Sequence, residues 1–249
     1  MQGTYPSNIT AVQINLSFNN LSGPLVMRNV GGNGVNFLNL QWAGQFDCYV
    51  RMDFTGPRST PTVSTLSLRG TMRPGCDIMN SNQIQLPQRS LKWLDVSENE
   101  FVPWVVPEWM LRLRALWAED SNVIGMIDTR PLSRLPLDLL EIHLSGNVLA
   151  PEVRGLSQIE QWMRLMGAAG NLRLLGCNYC GLQFDFGLFC DSVYKDRAGN
   201  GELMHLFLSN NKLTGNLPYG LFGANHPDLP WSISSLDISY NWDLGGLFG

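Results

Sequence analysis

The chain has 249 residues, a net charge of −4, 44% hydrophobic residues and only 15% charged ones. That apolar content suffices for a sizeable core, while the lack of any basic run argues against a nucleic acid partner, whose phosphates need clustered Lys and Arg. No apolar stretch approaches the roughly 18 residues of a membrane span, and Met1-Gln2-Gly3-Thr4-Tyr5-Pro6 lacks both the basic and the apolar part of a signal peptide.

One pattern recurs along the chain. Ile14-Asn15-Leu16-Ser17-Phe18-Asn19 opens it, and weaker copies follow around Leu38/Leu40 and Leu66/Leu68. Leu94-Asp95-Val96-Ser97-Glu98-Asn99 restores it, followed by a weak copy at Leu116/Ala118 and a clear one at Ile142-His143-Leu144-Ser145-Gly146-Asn147. After Leu175/Cys177 come Leu206-Phe207-Leu208-Ser209-Asn210-Asn211 and Leu236-Asp237-Ile238-Ser239-Tyr240-Asn241. The markers Leu16, Leu40, Leu68, Val96, Ala118, Leu144, Cys177, Leu208 and Ile238 lie 22 to 33 residues apart. A period in that range signals stacked repeats, none of which can bury its apolar side alone.

Within each copy the apolar residues alternate with period two, so they point inward from a short strand and the residues between them point outward. A second ladder runs through Asn19, Ala43, Thr71, Asn99, Ser121, Asn147, Cys180, Asn211 and Asn241. An amide there can satisfy buried backbone groups of neighbouring coils. Thr71, Ser121 and Cys180 can supply part of that bonding and Ala43 none, which predicts that the second coil is the most loosely held.

The segments Leu21-Ser22-Gly23-Pro24-Leu25 and Leu213-Thr214-Gly215-Asn216-Leu217-Pro218 extend the motif. With them the chain resembles the plant-type leucine-rich repeats of receptor ectodomains, secreted inhibitors and some protist surface antigens. The resemblance covers roughly residues 9–249. It implies an α/β solenoid: a horseshoe with a parallel concave sheet of about nine short strands, irregular or helical convex segments, and a concave face that binds a protein or peptide. Residues 1–249 are expected to form a single repeat domain. Repeat lengths are uneven and several coils lack the tail glycine, both departures from the family pattern. The end at Leu244-Gly245-Gly246-Leu247-Phe248-Gly249 has nothing polar or cysteine-rich to cover the core, which reads as part of a longer protein.

Between the strands, Pro107 before Glu108-Trp109-Met110 suits a short helical start. Ile159, Trp162, Met163 and Met166 space as one face of an amphipathic helix over 155–169, and Phe186, Phe189, Cys190, Val193 and Tyr194 repeat that spacing. Core packing is the expected role of both stripes.

Five cysteines stand at 48, 76, 177, 180 and 190. Cys177-x-x-Cys180 falls on a core position and a ladder position, so small buried side chains explain it better than zinc, which needs four ligands; no metal site and no cofactor are expected. Cys48 and Cys76 each lie eight residues past a strand marker. Equivalent positions on stacked coils are about 4.8 Å apart, within reach of a disulfide, with free thiols as the alternative. The N-x-S/T triplets at Asn8, Asn15 and Asn20 are no more than chance supplies, and Asn15 sits mid-strand, an awkward place for a glycan. An extracellular or cell-surface setting is expected, with a cytoplasmic scaffold as the alternative.

The outward positions of the central coils carry Trp93, Asp95, Ser97 and Glu98, then Ala115, Trp117, Glu119 and Asp120, then Glu141, His143 and Ser145. Exposed aromatics ringed by charge are typical of protein-binding hot spots, and the carboxylates favour a basic ligand. The candidate ligand-binding residues are therefore Trp93, Asp95, Glu98, Trp117, Glu119, Asp120, Glu141 and His143. Paired carboxylates can do acid–base chemistry, but no nucleophile–base pair or phosphate loop accompanies them, so binding rather than catalysis is expected.

Overall fold

The computed structural model describes residues 13–28, 35–53, 63–125, 138–195, 203–217 and 233–245. They form two compact units, one holding residues 1–104 and 115–122, the other residues 105–114 and 123–249.

In the first unit the expected strands are Gln13–Asn15, Phe37–Asn39, Thr65–Ser67, Trp93–Asp95 and Ala115–Trp117. They pair in parallel in chain order, and the register sets Ile14, Leu38, Leu66, Leu94 and Leu116 side by side. From Leu38 onward these central leucines are fully buried. The second unit repeats the arrangement with Glu141–His143, Leu174–Gly176, His205–Phe207 and Ser235–Asp237, aligning Ile142, Leu175, Leu206 and Leu236. The markers Leu40, Leu68, Val96, Ala118, Leu144, Cys177 and Leu208 are buried. Leu16 and Ile238 are only half-buried, because each lies on an outermost strand with a neighbour on one side.

The ladder forms as expected at Asn99, Asn147, Asn211 and Asn241, whereas Asn19 donates within its own coil to Leu16 O and Ser17 O, and Cys180, bonded through sulfur to Cys177, has no S–H to give. Asn99 donates through Nδ2 to Leu68 O and Val96 O at 2.9 and 2.8 Å, while its Oδ1 accepts from Thr71 N and Met72 N. Asn211 serves Cys177, Leu208, Cys180 and Leu182 in the same way. Where the amide is missing the bonding shrinks to one donor: Thr71 Oγ1 to Leu68 O and Ser121 Oγ to Ala118 O. At Ala43 the backbone substitutes. Leu21 N donates to Ala43 O at 2.8 Å, and the tail that follows pairs along its length with the next coil. The weak point expected at the second coil is thus bridged by main chain.

That tail pairing was not foreseen. Leu21–Arg28 runs parallel to Gly44–Asp53, which in turn pairs with Ile84–Gln85. The register shifts between Gly23 and Leu25, where Pro24 has no N–H to give. The two tails approach so closely that a Cβ on Gly44 would lie 2.0 Å from Leu21 O, at φ +129°. Cys48 and Cys76 are bonded beside this sheet with Cα atoms 5.0 Å apart. Cys177 and Cys180 are also bonded to each other, a pairing the reading of them as two small core residues had not included.

The return segments of the second unit hold the helices. Glu108–Arg112 forms a 3₁₀ turn after Pro107. Helix α1, Gln158–Ala168, starts with a capping box in which Ser157 and Glu160 bond each other's backbone N–H. Its buried face is rotated from the expected stripe: Trp162 and Met166 are buried, but Gln158, Gln161 and Leu165 join them while Ile159 and Met163 are half-exposed. The two glutamines earn burial by bonding backbone: Gln158 Nε2 donates to Leu149 O and Gln161 Nε2 to Leu156 O. Helix α2, Phe186–Lys195, buries Phe186, Phe189 and Cys190; the side chains of Val193 and Tyr194 lie outside the described residues.

Candidate functional site

Six of the eight candidate residues share the first unit. Parallel register places Asp95 opposite Trp117 and Trp93 opposite Ala115, so the two indoles sit diagonally across adjacent strands. Both are half-buried, whereas Ala115 is buried and adds nothing to the surface. Asp95 Oδ1 accepts from Ser97 N at 3.0 Å and its Oδ2 from Ser67 Oγ at 3.2 Å, which fixes the carboxylate at the end of its strand. Ser97, expected to face outward, is buried instead, and its Oγ accepts from Glu119 N at 3.1 Å. The period-two alternation stops there because the chain turns.

The turn has a fixed conformation. The residue just ahead of each ladder position has positive φ in every coil: Phe18, Trp42, Gly70, Glu98, Asp120, Gly146, Tyr179, Asn210 and Tyr240. A left-handed residue reverses the chain so that the next side chain can point inward, at roughly 1–2 kcal/mol for a residue with a Cβ. At Glu98 and Asp120 it carries the carboxylate to the strand's C-terminal edge. Asp120 is exposed there, and Glu119 is half-buried.

Arg69, which the sequence did not single out, enters this site from the coil before. Its Nε donates to Glu98 Oε1 at 2.8 Å, with a second contact from Nη2 to the same oxygen. Burial works against its charge, but Glu98, Asp95 and Glu119 together raise its pKa above the ordinary value. The patch is therefore three carboxylates around one guanidinium, with Asp120 outside the pair. Glu141 and His143 belong to the second unit, where they face each other with His143 Nε2 3.7 Å from Glu141 Oε2.

Among the described residues no group of His, Cys, Asp and Glu has the geometry to hold a metal ion, and no helix is long and apolar enough to cross a membrane.

With strands, ladder and turns placed, the fold is that of leucine-rich repeats, with short parallel strands stacked coil on coil in each unit. The Leucine Rich Repeat family model matches residues 202–224. Among solved structures it is similar to an internalin from Listeria monocytogenes, with TM-score 0.51 and 18% identity over 94% of this chain. The chain spans 55% of that protein's length. No curated protein sequence matches it.

Proposed function

We propose that this chain is a recognition module that binds a protein or peptide, basic in character, on the outward strand face of its central coils. A leucine-rich repeat fold supports protein binding in general. The narrower reading rests on one observation: Trp93 and Trp117 lie diagonally on adjacent strands with Asp95, Glu98, Glu119 and Asp120 about them. Half-buried indoles lose little entropy on contact, and surrounding carboxylates speed the approach of a cationic partner. Arg69 offsets one of those charges, so the field is weaker than the carboxylate count alone suggests.

The setting we favour is extracellular or at the cell surface. It is supported by two bonded cysteine pairs, which oxidising compartments preserve. Binding rather than catalysis is the reading throughout.

The test begins with affinity capture on the immobilised chain and continues with titration of the captured ligand. Trp117→Ala should weaken binding about thirtyfold at every salt concentration, the effect of losing an anchor worth about 2 kcal/mol. Glu119→Gln with Asp120→Asn should flatten the salt dependence and slow association. If both variants bind as the parent does, the ligand uses another surface.

A further inference from the structure

The first two coils differ chemically from the patch just described. Gln13 to Met27 and Val35 to Phe46 contain no charged residue. Their outward positions carry the amides Gln13, Asn15, Asn39 and Gln41 beside Phe37, and Asn15 and Asn39 are register partners on adjacent strands. Asn15 Oδ1 accepts from Ser17 N at 3.0 Å and Asn39 Oδ1 from Gln41 N at 2.9 Å. That arrangement ties each carbonyl to the turn and leaves the Nδ2 group, with two donors, on the other side of the amide. Asp95 and Asp237 hold the same position and make the same bond to the residue two further on, but present a charged acceptor instead.

Beside the amides stand two aromatic rings. Phe18 and Trp42 take the left-handed turn position on consecutive coils and are 75% and 42% exposed. The next residue in that row is Gly70, and the Trp42 indole lies against it. A Cβ at Gly70 would fall 2.6, 2.7 and 2.9 Å from Trp42 Cε3, Cζ3 and Cδ2. One side of the indole is therefore seated on the third coil, while the residue as a whole stays 42% exposed. Arg69, the nearest charge along that coil, is engaged by Glu98.

A seated aromatic face offers apolar surface with negative π density, which suits a face of C–H bonds. Neighbouring amides offer donors and acceptors to hydroxyls. With Arg69 already paired to Glu98, an ionic ligand would lose hydration and gain no unpaired counter-charge. A sugar ring combines a C–H face with a rim of hydroxyls and has no charge to desolvate.

We propose that the first two coils form a site for neutral oligosaccharide. Trp42 is its stacking platform, Phe18 a second apolar contact, and Asn15, Asn39 and Gln41 bond the hydroxyls. Gly70 acts by positioning the indole. The site is separate from the Trp93–Trp117 face and does not depend on it.

The experiment titrates the full chain with cellohexaose, maltohexaose and N-acetyl-chitohexaose, with hexa-arginine and hexa-glutamate as charged controls, by calorimetry and tryptophan fluorescence. At least one hexasaccharide should bind, with an affinity insensitive to salt. Trp42→Ala should lower that affinity about tenfold or more. Gly70→Ala should lower it comparably, by displacing the indole, with folding checked by circular dichroism. Asn39→Asp keeps the turn bond that Asp95 shows an aspartate can make, so it tests the site even where Trp42→Ala fails to fold. It should weaken binding because the amide donors are gone. Trp242→Ala, at an indole 86% exposed in the second unit, should leave the sugar affinity unchanged. Absence of binding by all three sugars at about 10 mM, or binding unmoved by both Gly70→Ala and Asn39→Asp, overturns the proposal.

Discussion

Asn211→Ala tests the ladder most directly. Asn211 is 6% exposed and its side chain makes five hydrogen bonds. Its Oδ1 accepts from Cys180 N and Leu182 N, each at 3.0 Å, and its Nδ2 donates to Cys177 O, Leu208 O and Ser209 O. Alanine removes all five and leaves two buried N–H groups of the preceding coil without an acceptor. Each such donor costs about 1–3 kcal/mol, so the expected loss is roughly 2–6 kcal/mol before any cavity term. The carbonyls suffer less, because a carbonyl has two lone pairs and tolerates partial bonding better. At a urea slope of about 2–3 kcal/mol/M, a loss near 4 kcal/mol moves the midpoint down by about 1.3–2 M. Thr71→Val is the internal control: it deletes only the bond from Thr71 Oγ1 to Leu68 O at 2.6 Å. It should cost about 1 kcal/mol. If Asn211→Ala shifts the midpoint no more than Thr71→Val, the ladder is not held by its amides.

Breaking the bond between Cys48 and Cys76, which lie 28 residues apart, should cost about 3–4 kcal/mol through the entropy of the opened chain. Reductant should therefore lower the melting temperature of the parent more than that of a Cys48→Ser, Cys76→Ser double variant, and equal shifts would refute the assignment. Cys190 is buried, and burial, with help from Asp191 and Asp185, pushes its thiol far above the ordinary range. Iodoacetamide at neutral pH should leave it unmodified in folded protein and label it quickly in urea; equal rates would mean the helix does not cover it. Asp237 is held below the usual carboxylate range, chiefly by the Ser239 hydroxyl at 2.7 Å. Because the folded pKa is the lower one, its contribution is present above the unfolded value near 4 and fades as pH falls through the folded value. Asp237→Asn should therefore flatten part of the loss of melting temperature between about pH 5 and pH 2, and an unchanged profile would count against that bond.

Much of the architecture was legible because it is set by local periodicity. Strand positions, buried leucines and the amide ladder all follow from two facts about one coil: alternation along a strand and a polar residue at the turn. The equal offset of Cys48 and Cys76 was legible for the same reason, since stacking turns equal position into proximity. The side sheet was not. Leu21-Ser22-Gly23-Pro24-Leu25 stands in the sequence only as a tail that extends the motif, and the neighbouring coil, approached closely at Gly44, makes it a strand. Helix α1 shows a second limit. Hydrophobic spacing placed the helix and two of its buried residues, Trp162 and Met166, but aimed its face off to one side, because Gln158 and Gln161 are buried for the bonds they make to Leu149 O and Leu156 O, which no apolar count registers.

The candidate site divides along the same line. Period two correctly turned Trp93, Asp95 and Trp117 outward, because each lies within a strand. It failed at Ser97, two residues beyond its strand, where a left-handed Glu98 has begun to reverse the chain. It also missed Arg69, which reaches its partner 29 residues away. The signal was nonetheless available: Arg69 and Glu98 hold the last outward place and the turn place of adjacent coils, and stacking makes those neighbours. Aromatic residues at the turn place carried a similar unread signal. Glycine, asparagine and aspartate hold that place at low backbone cost in Gly70, Asp120, Gly146 and Asn210. Phe18, Trp42, Tyr179 and Tyr240 hold it at greater cost while 75, 42, 64 and 61% exposed. Backbone preference explains none of those four, and packing explains them only in part, through the Trp42 indole on Gly70 and the Tyr240 ring edge-on to Trp242. On the proposal made for the first two coils, contact with a ligand supplies the missing term at Phe18 and Trp42.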